Sequence, residues 1–592
     1  MQDLHPLTTE QTRQLMQVAL GEAEADLAIV NGAIVNVYTG EVLTGDTVLI
    51  KGERVAYVGK NTQKSIGAGT QVIDAVGKTL IPGLIDGHTH TDYPYAPPEL
   101  IKYAIKGATT SLITEVAELA FPAGVAGVTE FLRWVKNQPI KFYVVIPPME
   151  TISPIAREHS VTPQQLRRLL RRRDVAGLGE SYWFPAVEGN TPVVDLIAET
   201  KRSGKKLDGH TAGARGNKLQ AYVSLGITSD HEPTTADEVM ERLRLGLFVI
   251  LREGEIRREL QEVIGKLKDE KIDFKRLAMA TDGLGPWQFT RDGCVDFLVQ
   301  KVIDLGMEPV TAIQMATLNV AQRFSLDDFI GGIAPGRYAD IVIIPNLNTI
   351  KAEYVISNGK VVARNGDVLV APRKVNYSKS IRNSLRLGKQ FTAGDFAIAV
   401  SGNREKAKVR VIDQVTNLVC REAILDLPVS GGSVQADNSQ NVIRLAAIER
   451  SYAPGKTFTG FIRGIGLKRG AIATSITWDT CDLIVAGASD ADMALAVNRL
   501  GELQGGIVVC DNGKVLAELA LPIGGMISPQ PMDVLSQKLY DIQHTVENMG
   551  CNRPDIRLTL CVLTSGAIPF LRICESGLFD VKENRFVDLL VD

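Results

Sequence analysis

Several features that mark other classes of protein are scarce in this sequence. The 592 residues include only seven cysteines and seven histidines. No two cysteines form a Cys-x-x-Cys pair, which argues against a disulfide framework and against a zinc ribbon. No apolar run reaches 18 uncharged residues, so we predict no membrane span. The first residues, MQDLHPLTTEQ, lack the basic and apolar regions of a signal peptide, and we therefore predict a cytoplasmic protein.

An excess of charge of either sign is also missing. The formal net charge is -3, which argues against a general nucleic-acid-binding protein. The most basic stretch, residues 165–173, follows Thr162 and Pro163, and Gln165 completes a capping box. We predict a helix here over 162–173, whose basic face is solvated or contacts an acidic neighbouring subunit.

The length predicts three or four domains rather than one. Residues 8–20 are typical of a helix with Thr9 as its N-cap, and short strands with tight turns follow to about residue 80. Strand patterns return after residue 333, where they complete the first β module, and the stretch IRLTLCVLT (556–564) is also predicted to be a strand. The predicted domains are an N-terminal helix (1–24), a composite β-sandwich (25–80 and 333–375), a barrel (81–332) and a C-terminal α+β domain (395–592).

Between residues 81 and 332 the pattern alternates between strand and helix. Eight such repeats in roughly 250 residues predict a (β/α)8 barrel, so the fold class is α/β. Active sites in this fold lie where the carboxyl ends of the strands meet the following loops. The eight predicted strands are 81–87, 107–114, 140–147, 175–179, 205–209, 225–229, 246–252 and 276–281.

Because cysteine is scarce and unpaired, histidines are the candidate metal ligands in this sequence. The apolar run LIPGLIDGHTH ends in His88 and His90. Side chains at positions i and i+2 of a strand point to the same face, so this pair converges on one point. Two converging imidazoles supply half of a metal site, although the pair alone is equally compatible with two polar residues at a strand–loop junction.

Four further residues lie at the carboxyl ends of other predicted strands. Glu180 follows the fourth strand, His210 the fifth, His231 the sixth and Asp282 the eighth. Four imidazoles and two carboxylates suit a pair of divalent transition ions such as Mn²⁺, Fe²⁺ or Zn²⁺. A hydroxide held between two ions is a nucleophile at neutral pH, and Asp282 would move its proton to the leaving group. The sequence therefore predicts metal-dependent hydrolysis of a C–N bond.

Several motifs of this sequence resemble those of the amidohydrolase superfamily, and within it the adenine deaminase family over nearly the full chain. The resemblance implies a binuclear Mn or Fe site whose ligands are His88, His90, Glu180, His210, His231 and Asp282. It also implies conversion of a purine-like substrate, adenine, to hypoxanthine and ammonia. The motifs are PGLIDGHTH (82–90), GLGE (177–180), DGHTAG (208–213), AYVSLGITSDHE (221–232), LRLGLFVILREG (243–254), TDG (281–283), APGRYADIVII (334–344) and, in the C-terminal part, NVIRLAAIER (441–450), DMALAVNRL (492–500) and LPIGGMIS (521–528).

The residues around the predicted metal ligands depart from the family pattern. After the first strand the family reads H-x-H-I-E-S-S, and this chain has Asp92 and Tyr93 in the corresponding loop. After the second strand it reads D-P-H-E, and this chain keeps the acids, Glu115 and Glu118. In the C-terminal domain it reads H-D-S-H-N, and this chain has WDTCD, beginning with Trp478.

We predict that Glu118, or else Glu115, protonates or hydrogen-bonds a ring nitrogen. Asp92, Tyr93, Glu115 and Trp478 are the predicted substrate contacts. Two alternatives remain at this point: a related amidohydrolase acting on a different cyclic amidine or amide, and a catalytically silent metal-binding or assembly protein. By analogy with this architecture we also expect a homo-oligomer.

Overall fold

The computed structural model describes residues 7–60, 62–189 and 191–591. The first element is the helix Thr9–Leu20, and its N-cap is Thr8 rather than the predicted Thr9. The Thr8 hydroxyl accepts from the backbone N–H of Gln11, and the Gln11 side chain accepts from the backbone N–H of Thr8. This reciprocal capping box places the N-cap one residue earlier than we predicted.

Two β-sheets pack face to face beside this helix, and both sides of the barrel sequence contribute to them. Ile29 and Val48 from one sheet and Ile34 and Ile343 from the other share one apolar core. In spatial order the first sheet contains Arg54–Gly59, Thr47–Lys51, Leu27–Val30 and Gln71–Asp74, and the second contains Asp367–Val368, Lys360–Arg364, Tyr354–Ser357, Ile341–Ile344, Thr79–Pro82, Ala33–Asn36 and Glu41–Thr44. Thr79–Pro82 pairs antiparallel with Ile341–Ile344, so the chain closes this module only after the barrel.

Eight parallel strands form the barrel between the two halves of that module. In order they are Leu84–His90, Thr109–Glu115, Lys141–Ile146, Val175–Tyr182, Lys206–His210, Ser229–Asp230, Phe248–Arg252 and Leu277–Ala280. The first and last strands meet, because the backbone N–H of Asp282 donates to the His88 carbonyl at 3.0 Å and that of Thr281 donates to Asp86 at 3.0 Å. The predicted α/β barrel is confirmed.

The predicted first strand, 81–87, has the wrong boundaries. The apolar run divides at Gly83, with Thr79–Pro82 in the composite module and Leu84–His90 in the barrel. A Cβ at Gly83 would lie 2.2 Å from the Thr110 hydroxyl, so the change of sheet requires glycine. As a result His88 and His90 lie inside the strand rather than beyond it. The sixth strand is also shorter than predicted, since it is preceded by a turn at 225–226 and two irregular residues at 227–228.

Helices cover the outside of the barrel and cap its ends. They are Pro97–Lys106, Ala117–Trp134, Pro154–His159, Pro163–Leu170, Trp183–Val187, Thr191–Arg202, Gly216–Ser224, Ala236–Arg244, Leu260–Leu267, Pro286–Arg291, Val295–Asp304, Pro309–Met315 and Leu318–Phe324. The helix that we predicted over 162–173 has the predicted capping box at Thr162 but ends at Leu170, and Arg167 pairs with Glu199 at 2.8 Å. Within the described ranges, no helix combines the length and the apolar character needed to span a bilayer.

The C-terminal region contains a ten-stranded sheet and a three-stranded sheet. The spatial order of the larger sheet is Ile398–Ala399, Ser433–Val434, Cys420–Ser430, Lys406–Gln414, Thr457–Arg463, Val442–Glu449, Asp482–Gly487, Ala471–Thr474, Gly506–Asp511 and Lys514–Ala520, and that of the smaller is Leu571–Cys574, Gly577–Asp580 and Arg585–Val587. The α-helices of this region and of the preceding linker are Lys379–Arg382, Asp490–Leu503, Met532–Asn548 and Ile556–Cys561.

The stretch 556–564 is helical, so its prediction as a strand is wrong. The Asp555 side chain accepts from the backbone N–H of Leu558 and caps the helix Ile556–Cys561, and a 3₁₀ turn follows over Val562–Thr564. The segment is buried on every side, which removes the helical periodicity that would have identified it.

The C-terminal region lies over the mouth of the barrel. Ser528 donates its backbone N–H to the Pro94 carbonyl at 2.8 Å, and Arg557 forms an ion pair with Glu255. These contacts join it to the loops after the first and seventh strands. The barrel mouth is therefore covered by a separate sheet-rich region, while the four domain boundaries that we set from the sequence stay predictions.

Candidate metal centre and active site

The two histidines of the first barrel strand converge on a carboxylate of the fourth. His88 and His90 alternate with Thr89, so both side chains face the barrel mouth. The Nε2 atoms of His88 and His90 lie 2.9 and 3.2 Å from Glu180 Oε1. The predicted convergence of these two imidazoles is thus present in the structure.

Glu180 is the centre of the cluster, because four imidazoles surround it. His231 Nε2 lies 3.3 Å from Oε1, and His210 Nδ1 lies 3.5 Å from Oε2. Burial alone would raise the pKa of Glu180, but the surrounding imidazoles lower it well below its usual range. The carboxyl is consequently ionised, and three of the imidazoles lie nearest Oε1 whereas that of His210 lies nearest Oε2.

Asp282 completes the cluster from the end of the eighth strand. Its Oδ1 lies 3.4 Å from His88 Nε2 and 3.7 Å from His90 Nε2. Its φ of 53° places the backbone in the left-handed region, which turns the carboxylate toward the cluster. Among the described residues the potential ligand atoms form three groups with separations of at most 4.8 Å. Two of them contain the predicted ligands, namely His88, His90, Glu180 and Asp282, and Glu180, His210 and His231, and the third contains His88, Glu115 and Asp208.

Unpaired polar atoms in this cluster fit the binding of metal ions. Both ring nitrogens of His210, Nε2 of His231 and Nδ1 of His88 are buried without a hydrogen-bond partner in the described part of the chain. The imidazoles of His210 and His231 are close to Glu180 yet do not aim at it with hydrogen-bond geometry. Ligands that surround a common ion are arranged in this way, and the nitrogen and oxygen donors suit Mn²⁺, Fe²⁺ or Zn²⁺.

Arg252 holds Asp282 in place and is itself in contact with Glu232, and neither Arg252 nor Glu232 was predicted from the sequence. Arg252 ends the seventh strand, and its guanidinium lies 3.1 Å from Asp282 Oδ2, 2.9 Å from Glu259 and in contact with Glu232. Burial would raise the pKa of Asp282, but Arg252 and the neighbouring imidazoles hold it well below its usual range. An arginine at the end of an apolar strand was the signal that could have revealed this role.

Glu115 and Glu118 lie beside the cluster and contact two of its residues. Glu115 Oε1 accepts from the backbone N–H of Glu180 at 2.9 Å, and Glu115 Oε2 has no partner among the described residues. A Cβ at Gly179 would lie 2.1 Å from that oxygen, so this glycine makes room for the carboxyl. Burial, together with the Glu180 carboxylate, raises the pKa of Glu115 to about 8. Glu118 Oε1 lies 3.1 Å from His90 Nδ1 instead.

The other predicted substrate contacts have packing partners. Asp92 Oδ2 accepts from the backbone N–H of Leu119 at 2.8 Å, in the first turn of the helix that begins at Ala117. The Trp478 indole donates to the Tyr93 hydroxyl at 3.3 Å across the boundary between barrel and C-terminal region. The role of Asp92, Tyr93 and Trp478 in substrate binding stays a prediction, and the structure shows each of them joining two elements.

A small inner cavity adjoins the metal ligands. It has a volume of about 10 Å³, enough for roughly one water molecule. His90, Glu115, Glu180, Tyr182 and Asp479 are among the residues that line it. A molecule larger than water can therefore enter this cavity only if side chains of its wall move.

Asp479 brings the C-terminal region into this cavity, and the sequence analysis passed over it in favour of its neighbour Trp478. Its carboxylate accepts from the Tyr182 hydroxyl at 3.0 Å and from the Ser565 hydroxyl at 2.7 Å. Burial raises the pKa of Asp479 to about 7. The retained Asp of the H-D-S-H-N pattern was the signal that could have identified it.

The geometry agrees with comparisons to known proteins. The amidohydrolase family matches residues 79–362, and the adenine deaminase C-terminal domain matches residues 417–585. An adenine deaminase of Mesorhizobium japonicum is 35% identical over 98% of both chains, and one of Cenarchaeum symbiosum is 34% identical over 99% of this chain and 96% of its own. Among solved structures, a molinate hydrolase is similar at 17% identity and a TM-score of 0.44, covering 60% of this chain and 99% of its own. The chain therefore belongs to the adenine deaminase family of the amidohydrolases, which are hydrolases that act on C–N bonds.

Proposed function

We propose that this protein hydrolyses adenine to hypoxanthine and ammonia. The observation that carries the proposal is the cluster of four histidines and two carboxylates at the ends of five barrel strands. The full-length similarity to proteins named adenine deaminase supports the choice of substrate. Buried nitrogens without hydrogen-bond partners are unfavourable in a cluster that serves only structure. In a hydrolytic metal site the same nitrogens are free to bind the ions.

The cluster divides into two candidate ion sites that share Glu180. His88, His90 and Asp282 would hold one ion, and His210 and His231 the other. We propose Mn²⁺ or Fe²⁺ as the resident ions, with Zn²⁺ as the alternative. When bound, such a pair supplies a water whose pKa is lowered from 15.7 to about 7 in the best-studied case.

Asp282 is the proposed proton carrier. Its low pKa keeps it ionised at neutral pH, so it can accept the proton of the attacking water. Arg252 holds Oδ2, which leaves Oδ1 directed at the cluster. As water adds to the amino-bearing ring carbon, Asp282 would deliver the proton to the departing ammonia.

Glu115 is better placed than Glu118 to act on a ring nitrogen. It lines the inner cavity and its Oε2 is unpaired. With a pKa of about 8 it keeps its proton at neutral pH and can donate it to the ring. Glu118 lies against His90 Nδ1, where it would fix the orientation of that imidazole. From the sequence we predicted that Glu118, in preference to Glu115, protonates a ring nitrogen. That assignment stays a prediction, and the geometry supports Glu115 better.

Ammonia release from a panel of compounds tests the proposal. The protein would be purified from cells supplied with Mn²⁺ or Fe²⁺, its metal content measured, and adenine compared with other aminopurines, aminopyrimidines and cyclic amides. We expect about two ions per chain and turnover of adenine. Inert adenine together with turnover of another compound would favour the alternative of a related amidohydrolase, which the altered loop Thr91–Pro94 motivates. Size-exclusion chromatography tests the expected homo-oligomer.

A further inference from the structure

One buried carboxyl beside the inner cavity has no role in this mechanism. Glu150 lies in the loop that follows the third barrel strand, Lys141–Ile146. Its Oε2 accepts from the backbone N–H of Tyr182 at 2.7 Å. Its Oε1 is buried and has no hydrogen-bond partner within the ranges that the structure describes. An unpaired buried carboxyl oxygen is unfavourable, so this atom points to a ligand that pairs with it.

Glu150 stands in the wall between two cavities. The outer cavity has a volume of about 770 Å³ and lies between the barrel helices and the C-terminal three-stranded sheet. It shares Pro148, Met149, Glu150 and Tyr182 with the inner cavity. The inner cavity continues to His90 and Glu180. A substrate that enters from the outer cavity therefore passes Glu150 before it reaches the metal ligands.

The orientation of a purine in this space follows from the chemistry at the metal ligands. The amino-bearing carbon must face Asp282 and Glu180, so the five-membered ring is directed away from them. That ring of a free base carries one N–H donor and has acceptor nitrogens beside it. The carboxylate of Asp479 already accepts from the hydroxyls of Tyr182 and Ser565, whereas Glu150 Oε1 has no partner among the described residues. Among the described residues, Glu150 is the one carboxyl that lines both cavities, and its Oε1 is open.

We infer that Glu150 binds the N–H of the five-membered ring and thereby selects free bases over bases that carry a substituent on that nitrogen. Burial raises the pKa of Glu150 to about 8, so the neutral carboxyl can accept from the N–H and also donate to a ring nitrogen. This inference rests on the proposed function, because the purine orientation assumes deamination at the metal ligands. It makes Glu150 a determinant of substrate specificity.

Deamination of adenine and of 9-methyladenine, which has no N–H on the five-membered ring, tests the inference. We expect the wild-type protein to prefer adenine by at least about 100-fold in kcat/KM. Glu150→Met keeps the volume but removes the polar atoms, so adenine should lose about 10- to 100-fold, mostly through KM, and the preference should fall below about tenfold. Glu150→Gln can still accept and donate, and it should retain most of the preference.

Glu188→Gln is the matched control, because Glu188 lines the outer cavity and not the inner one. It should keep the wild-type preference. A Glu150→Met variant that is folded, binds metal and still prefers adenine as the wild type does would overturn the inference.

A binding measurement separates this inference from the proposed function. Isothermal titration with hypoxanthine and 9-methylhypoxanthine requires no turnover, and both Glu150 variants can be measured. If no variant and no wild-type preparation deaminates adenine, the proposed function fails. Loss of the preference for hypoxanthine in Glu150→Met would support Glu150 as the determinant even then, and an unchanged preference would overturn it.

Discussion

Both ends of the barrel contain buried charges, which are paired at the bottom and partly unpaired at the mouth. At the bottom, Lys141 donates to both carboxylate oxygens of Asp340 at 2.8 and 2.7 Å, and Asn358 adds a backbone N–H at 2.9 Å. The Lys141 ammonium also lies 4.4 Å from the ring centre of Tyr338. At the mouth, histidine nitrogens and carboxylate oxygens remain unpaired among the described residues. The charges at the bottom satisfy one another, so that loss of either partner is costly, and the open ones at the mouth are available to bind.

The largest expected effect is on catalysis at the mouth. Asp282→Asn should lower kcat for ammonia release by about 10⁴-fold, since the amide cannot accept the proton. Circular dichroism should be unchanged and the metal content should be measured alongside. Activity within tenfold of wild type would exclude Asp282 as the proton carrier.

At the bottom, the main effect should be on stability. Lys141→Met leaves Asp340 buried without its partner and should lower the free energy of unfolding by about 3–5 kcal/mol. Urea denaturation measures this loss, and kcat of the folded fraction should not change. The double variant Lys141→Met with Asp340→Leu should recover most of it, because an apolar pair no longer buries an unpaired charge. Equal losses in the single and double variants would contradict this account.

Removal of metal should lower the stability of the protein through the cluster at the mouth and independently of the Lys141–Asp340 pair. At ion concentrations about 100-fold above Kd, bound metal stabilises the folded state by about 2.7 kcal/mol. Dialysis against a chelator should therefore lower Tm, and Mn²⁺ or Fe²⁺ should restore it. The shift should be equal in the wild type and in Lys141→Met. An apo protein with the wild-type Tm would argue against ions at this cluster.

A smaller effect is expected where Glu118 supports His90. Glu118→Gln still offers an oxygen to His90 Nδ1 but removes the negative charge, so metal affinity should fall by about tenfold. Competition with a chromogenic chelator measures it. Glu99→Gln, outside the cluster, serves as the control. An unchanged metal affinity in Glu118→Gln would contradict the role of Glu118 in supporting His90.

The smallest effect is expected at Trp478. Trp478→Phe loses one hydrogen bond to Tyr93 and should cost about 1 kcal/mol of stability. Its indole is not among the groups that line the inner cavity, so KM for adenine should be nearly unchanged. A large rise in KM would support the prediction from the sequence that Trp478 contacts the substrate directly.

The sequence was informative where the signal was local. Eight alternating repeats predicted the barrel, and the scarcity of histidine made six strand-end ligands conspicuous. Boundaries were less predictable, because the run 79–90 divides between two sheets at Gly83 for a steric reason that depends on Thr110. The helix Ile556–Cys561 was missed because burial on every side removes periodicity.

Residues that act through tertiary contacts could not be found in this way. Asp479 reaches the active site through Tyr182, which is 297 positions away. Arg252 acts through Asp282 and Glu232, and Glu150 acts from a loop with no recognisable motif. Such contacts depend on how loops of different strands and regions meet, which the order of residues alone does not specify.

The composite module can be completed only late in the synthesis of the chain. Thr79–Pro82 has Ala33–Asn36 on one side early in translation, but its other partner, Ile341–Ile344, is made about 260 residues later. At about 5–20 residues per second, the ribosome needs on the order of tens of seconds to supply it. During that interval an apolar strand edge has no partner from its own chain, so this protein should depend on chaperones while it is being synthesised.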